Sequence, residues 1–225
     1  MRLPRALPNQ KIAQSTCLLY FISIPKSLYL YKTGKMAVQT QRKLFTVTDF
    51  YKMAEVGILD WEDRVELIHG EILEMSPINS PHAKIVARLT RILNAILGER
   101  ALVRGQSPIH IDEYSEPEPD VSVVEFQIDE YEDQHPRPEE VYLLIEASDS
   151  TLHRDRKLKL PLYAEAAIPE VWILDMKSQV VEVYTNPESG QYQKMIKAQK
   201  GDTLYCTSLA FELEVERIFG RKYTK

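Results

Sequence analysis

A chain of 225 residues is long enough for one sizeable core or two small ones, and 44% apolar with 27% charged residues is the balance of a soluble globular protein. The formal net charge of −5 argues against a protein that holds nucleic acid by bulk charge alone, but leaves room for an enzyme that works through local lysines and a metal. With Cys17 and Cys206 as the only cysteines, a disulfide framework and a cysteine-based zinc site are excluded from the main domain, which fits a reducing cytoplasm.

Residues 1–35 differ from the rest of the chain. They carry six basic residues and no acidic one, so residues 36–225 alone have a formal charge of −11. The apolar patch CLLYFISI (Cys17–Ile24) after a basic start has the outline of a signal peptide, but Pro25 and Lys26 interrupt it and no small-x-small cleavage site succeeds it. It is far below the ~20 apolar residues that span a bilayer. The expectation is a disordered basic extension ahead of a domain that begins at Met36, with no membrane partner.

LFTVTDFYKMAE (Leu44–Glu55) predicts a helix capped by Thr46 or Thr48. RVELIHGEILEM (Arg64–Met75) predicts a tight hairpin turning at His69-Gly70. There Glu66 shares a strand face with Ile68, so it is either a buried carboxylate needing a cation or an edge residue on a wet face. Ser80-Pro81 opens the clearest helix, with Ile85, Val86, Leu89, Ile92, Leu93, Ile96 and Leu97 at helical spacing and Gly98 as its stop. Lys84, Arg88 and Arg91 lie off that stripe, where a solvated face is the ordinary reading and phosphate contact the functional one. His82 falls in the first turn.

Gln106–Ile111 predicts a short strand, and VSVV after Asp120 a second. An acidic loop, Gln127–Glu140, leads to the buried strand Val141–Glu146. Residues 112–140 hold twelve acidic side chains against one arginine, which repels phosphate unless cations intervene. Beyond the Asp149-Ser150-Thr151 turn, Asp155, Lys159 and Tyr163 recur every four residues and share a helix face, while Leu158, Leu162, Ala166 and Ala167 face the core. Pro161 requires either a helix that begins near Lys159 or a kink. VWILD (Val171–Asp175) completes a βαβ unit. A hairpin around Asn186–Gly190, a short strand from Thr203 and a helix over 211–219 complete an α/β fold with a mixed sheet flanked by helices.

Asp120 and Glu146 stand at the ends of two apolar runs, where neighbouring strands would bring them to one spot. Two such carboxylates repel unless a proton or cation lies between them. A hard divalent ion such as Mg²⁺ takes oxygen ligands, here Asp120, Glu146 and the Ala147 carbonyl, and lowers the pKa of its bound water. Lys159 on the following helix would orient the attacking water or stabilise the transition state, and Glu66 would hold a second metal or position the nucleophile.

RVELIHGEILEMSP, PEPDVSVVE and LLIEASDSTLHRDRKLKLPLYAEAAIPEVWILD together resemble the Uma-two family of restriction endonucleases in the PD-(D/E)XK nuclease superfamily, over roughly residues 44–218. The resemblance implies a restriction-endonuclease-like fold and a Mg²⁺-dependent phosphodiesterase acting on DNA, with Mn²⁺ able to substitute. By position it makes Asp120 the motif's aspartate, Glu146 its second acid, Glu66 the hairpin glutamate and His82 the histidine opening the helix, a supporting residue. The superfamily lysine lies two residues after the second acid, where this chain has Ser148. The resemblance therefore implies a lysine migrated to the next helix, Lys159, with Lys157 as fallback. A homodimer suits two strand cuts. The competing classes are a catalytically silent nuclease-fold module that binds nucleic acid or a protein partner, and a phosphodiesterase acting on RNA or nucleotides.

Overall fold

Helix α1 (Val47–Glu55) begins where Thr46, rather than Thr48, caps it: the Thr46 hydroxyl accepts from the Asp49 N–H and the Asp49 carboxylate accepts from the Thr46 N–H, each at 3.0 Å. The computed structural model describes residues 42–60 and 62–220, so the basic extension, its apolar patch, Cys17 and Met36 lie outside the described residues. The expected hairpin forms from β1 (Val65–Ile68) and β2 (Glu71–Glu74), with His69 and Gly70 both at positive φ, 51° and 75°. Glycine is required in that turn for a second reason, because a Cβ on Gly70 would fall 2.7 Å from the Leu44 Cβ.

Helix α2 (Ser80–Leu97) is capped by the Asn79 side chain at the His82 N–H and ends at Gly98. Six of its apolar residues are buried, each contributing about 2 kcal/mol. The next strand differs from expectation. It is β3 (Leu102–Gly105), and 106–111 is irregular because Gln106 takes φ 46° and leaves the sheet. Ile109 and Ile111 instead donate to the Pro117 and Ser115 carbonyls, so the expected strand is a loop held by one buried isoleucine, Ile109.

Strands β4 (Val121–Val124) and β5 (Val141–Ser148) come after it, the latter two residues longer than the apolar run suggests. A helical segment is next: α3 (Leu152–Arg154), a π-helical turn (Asp155–Lys159) and α4 (Leu160–Glu165). Leu160 N–H bonds to the Asp155 carbonyl five residues back, and Pro161 then sits in the first turn of α4. Asp155, Lys159, Leu162 and Tyr163 are buried, while Leu158 and Ala167, expected in the core, are exposed.

Strands β6 (Glu170–Asp175), β7 (Val180–Glu188) and β8 (Gln191–Ala198) complete a six-stranded sheet in the order β3-β4-β5-β6-β7-β8. Among the described strands only β5 and β6 pair in parallel, as the strand–helix–strand connection requires. The β7–β8 turn is tighter than expected, two residues at Ser189-Gly190. At the C-terminal end β9 (Thr203–Cys206) pairs with β10 (Phe211–Glu214), and only α5 (Val215–Phe219) is helical. Residues 211–214 are strand because their burial alternates: Phe211 and Leu213 are buried, Glu212 and Glu214 exposed. Among the described residues no helix is long and apolar enough to cross a membrane.

Strand alternation gives the sheet two different faces. Val121, Val123, Leu143, Ile145, Trp172, Leu174, Val181 and Val183 pack with α2, α5 and the β9–β10 hairpin. Leu144, Val171 and Ile173 point the other way, toward Tyr163 and Ile168. Glu146 and Glu182 belong to this second face, and both are buried. Glu182 fastens the π-turn to the sheet: it accepts two 2.8 Å bonds from Arg156, one of 2.9 Å from Tyr184, and pairs with Lys197 at 2.9 Å.

Burial alone would raise the Glu182 carboxyl, but the bonds from Arg156, Lys197 and Tyr184 hold it below its ordinary value. A depressed carboxylate stabilises the fold above its unfolded pKa, and that contribution is lost as pH falls through the folded value. Glu182→Gln should therefore cost about 2 kcal/mol at pH 7, and the gap to wild type in urea unfolding should narrow below about pH 4.5, the ordinary glutamate value.

Candidate active site

The register that pairs Val121 with Ile145 and Ser122 with Leu144 brings Asp120 level with Glu146 at the end of β4. Asp120 Oδ2 accepts a 2.7 Å hydrogen bond from the Ala147 N–H, which ties the loop before β4 to β5. An extended residue sends its N–H and carbonyl to the same side, so the Ala147 carbonyl faces the Asp120 edge as well. Asp120 Oδ1 lies 2.9 Å from His82 Nε2 in the first turn of α2. That hydrogen bond raises the His82 pKa above its ordinary value, against burial and the nearby Arg64.

Glu146 sits inside β5 rather than at its end, with 3% of its surface exposed. Tyr163 donates a 2.7 Å bond to Glu146 Oε1, and Lys159 Nζ lies 3.2 Å from the same oxygen. Lys159 also reaches Glu66 Oε2 at 3.1 Å and the Glu118 carbonyl at 2.9 Å. One ammonium thus joins the hairpin, the loop before β4 and the central strand. Burial works against its charge, yet the Glu146 and Glu66 carboxylates outweigh it and raise the Lys159 pKa. Burial pushes the Glu146 carboxyl well above its ordinary value, with Lys159 pulling the other way. Lys157, by contrast, is exposed.

Glu66 is the buried carboxylate, not the wet one. Besides Lys159 it accepts 2.6 Å from Arg154 and 3.2 Å from the Glu118 N–H. Arg154 continues to the Glu74 carbonyl at 2.6 Å, fixing α3 to the hairpin. Asp155 points back to β5 and the turn, accepting 2.7 Å bonds from the Ser148 and Thr151 hydroxyls. Ser148, at the position of the superfamily lysine, is therefore part of the scaffold that holds the lysine-bearing turn.

Among the described residues no group of three or more His, Cys, Asp or Glu side chains is placed to hold a metal ion. The groups at the β4–β5 edge that could hold a cation are oxygens, the hydrogen-bonded Asp120 and Glu146 carboxylates and the Ala147 carbonyl, the type that Mg²⁺ takes. Sequence reasoning assigned no role to Tyr163, Arg154, Glu118 and Arg64, which line or support the same cleft. Tyr163 was legible as the residue one turn beyond Lys159, and Arg64 as the same-face neighbour of Glu66. Arg154 carries no such signal, because its partner lies 88 positions away.

The ion pair between Lys159 and Glu146 makes a quantitative demand. Removing one member of a buried pair leaves the other uncompensated, so Lys159→Met should cost about 3 kcal/mol in urea unfolding at pH 7. Adding Glu146→Gln should restore at least roughly 1 kcal/mol, a coupling that strict additivity of the two changes would contradict.

A family model described as "Putative restriction endonuclease" matches residues 47–216. Among solved structures, a crystal structure described as "a putative nuclease belonging to DUF820" from Anabaena variabilis is similar, with a TM-score of 0.62 and 17% identity. The match covers 78% of this chain and 97% of that one, and at this identity it shows the shared fold. No curated protein matches the sequence. The family match spans the hairpin, the sheet and the helical segment that carries Lys159, and on that ground the chain belongs to the Uma2 family.

Proposed function

We propose that this protein is a Mg²⁺-dependent endonuclease of PD-(D/E)XK type that hydrolyses phosphodiester bonds in DNA. The observation that carries the reading is the meeting of Asp120, Glu146 and Lys159 at the β4–β5 edge, although they come from three separate segments. The donor set fits a hard divalent ion. Asp120 and Glu146 with the Ala147 carbonyl offer oxygens only. When bound, Mg²⁺ or Mn²⁺ would supply an acidified water and offset charge on the phosphoryl oxygens.

The chain's own residues divide the remaining work. Lys159, held charged by Glu66 and Glu146, orients the attacking water and stabilises developing negative charge. Tyr163 fixes the Glu146 carboxylate by its 2.7 Å bond, and His82 fixes Asp120 from the opposite side. Glu66 positions the lysine ammonium, with Arg154 taking its other oxygen. In this reading Lys159 replaces the superfamily lysine at Ser148, because its ammonium reaches Glu146 from the next helix. A homodimer would place two such sites on opposite strands of a duplex.

The test is cleavage of supercoiled plasmid by the full chain in Mg²⁺, Mn²⁺ or EDTA, beside Asp120→Asn, Glu146→Gln and Lys159→Met. Wild type should nick plasmid with either metal and not in EDTA, and each variant should lose on the order of 100-fold or more. Protons and metal compete for Glu146, whose pKa is raised, so the Mg²⁺ concentration for half-maximal rate should fall as pH rises. Retained DNA binding without cutting in any metal would favour the silent binding module, and cutting of RNA alone would move the substrate class.

A further inference from the structure

The cleft beside Asp120 must admit a polyanion although Glu66, Glu118, Asp120, Glu146 and Asp149 line it. Of the described residues lining it, Arg64, His82, Arg154 and Lys159 are cationic or able to become so. Two of these are fully engaged. Lys159 meets Glu66, Glu146 and the Glu118 carbonyl, and Arg154 makes two bonds of 2.6 Å to Glu66 and to the Glu74 carbonyl.

Arg64 is different. Among the described residues, one guanidinium nitrogen, Nη2, has only a 3.5 Å contact with Glu118 and a 4.0 Å contact with the Met75 sulfur, and the other, Nη1, is buried without an acceptor. In the same wall His82 Nδ1 is also buried without a partner among the described residues, although His82 Nε2 is bound to Asp120. A buried donor without an acceptor is costly and calls for a ligand or ordered water. The guanidinium is a planar fork of donors that matches the oxygens of a phosphate, and at 31% side-chain exposure it borders the open cleft. Its place two residues before Glu66 puts it on the same face of the hairpin as the buried site.

We propose that Arg64 is a DNA-binding residue that grips a backbone phosphate of the strand lying in this cleft, an inference that rests on the nuclease reading above. Arg64 binds and orients the strand, and it takes no part in the chemical step. A turn of the guanidinium about its side chain would exchange the 3.5 Å Glu118 contact for the phosphate and give Nη1 an acceptor.

The experiment is steady-state cleavage of a labelled duplex DNA in Mg²⁺ by the full chain and by Arg64→Ala, at several salt concentrations. Arg64→Ala should raise KM about tenfold and leave kcat within about threefold, because the lost contact is made equally in ground and transition states. The slope of log kcat/KM against log salt should become shallower by about one phosphate contact. Arg64→Lys should keep the slope and Arg64→Gln should lose it, and these two carry the test if Arg64→Ala fails to fold. Unchanged KM and slope in Arg64→Ala beside an active wild type would overturn this inference alone. A wild type that cuts no duplex would overturn the nuclease reading and this inference together.

Discussion

A single ammonium buried between two carboxylates holds the candidate site together. Lys159 lies within 3.2 Å of both Glu66 and Glu146, and its third partner is a main-chain carbonyl in the loop that leads to Asp120. Hairpin, loop and central strand come from segments far apart in the chain, and the lysine is their common contact. A buried charge is tolerated only when paired and hydrogen-bonded, and here three segments supply the partners. The helical segment that carries the lysine is fastened in turn by Arg154 to the hairpin, Asp155 to Ser148 and Arg156 to Glu182.

One short segment meets these demands with two charged side chains four positions apart: Asp155 and Lys159 are both buried, while Leu158 between them is exposed. The wide turn closes with the Leu160 N–H on the Asp155 carbonyl, and Pro161 falls in the first turn of α4. An acid and a base are buried where an apolar residue is left in solvent, the pattern expected where function and fold compete.

Part of the acidic stretch before β5 is turned inward: Glu116 is buried against the Tyr51 hydroxyl and His110, and Glu140 accepts from Gln127 and the Arg137 N–H. Elements with a strong period were legible in the sequence: α2 from its apolar stripe, the hairpin from His69-Gly70, and the parallel pair from strand–helix–strand order. The convergence of Asp120 and Glu146 followed from two apolar runs becoming neighbours. What periodicity could not reveal was long-range. The loop over 106–111 imitates a strand because Ile109 is buried, and β10 imitates the start of a helix because a short alternating run precedes a true helical turn. Arg154 and Glu118 enter the site through tertiary contacts that leave no trace in spacing.

The central claim is that Asp120 and Glu146 form a divalent-metal site beside Lys159. The most direct measurement is anomalous diffraction from crystals soaked in Mn²⁺. The account predicts one strong peak bonded to the Asp120 and Glu146 carboxylates and the Ala147 carbonyl, with Lys159 still beside Glu146. A saturating soak that leaves this position without a peak, or places the metal away from both carboxylates, would contradict it.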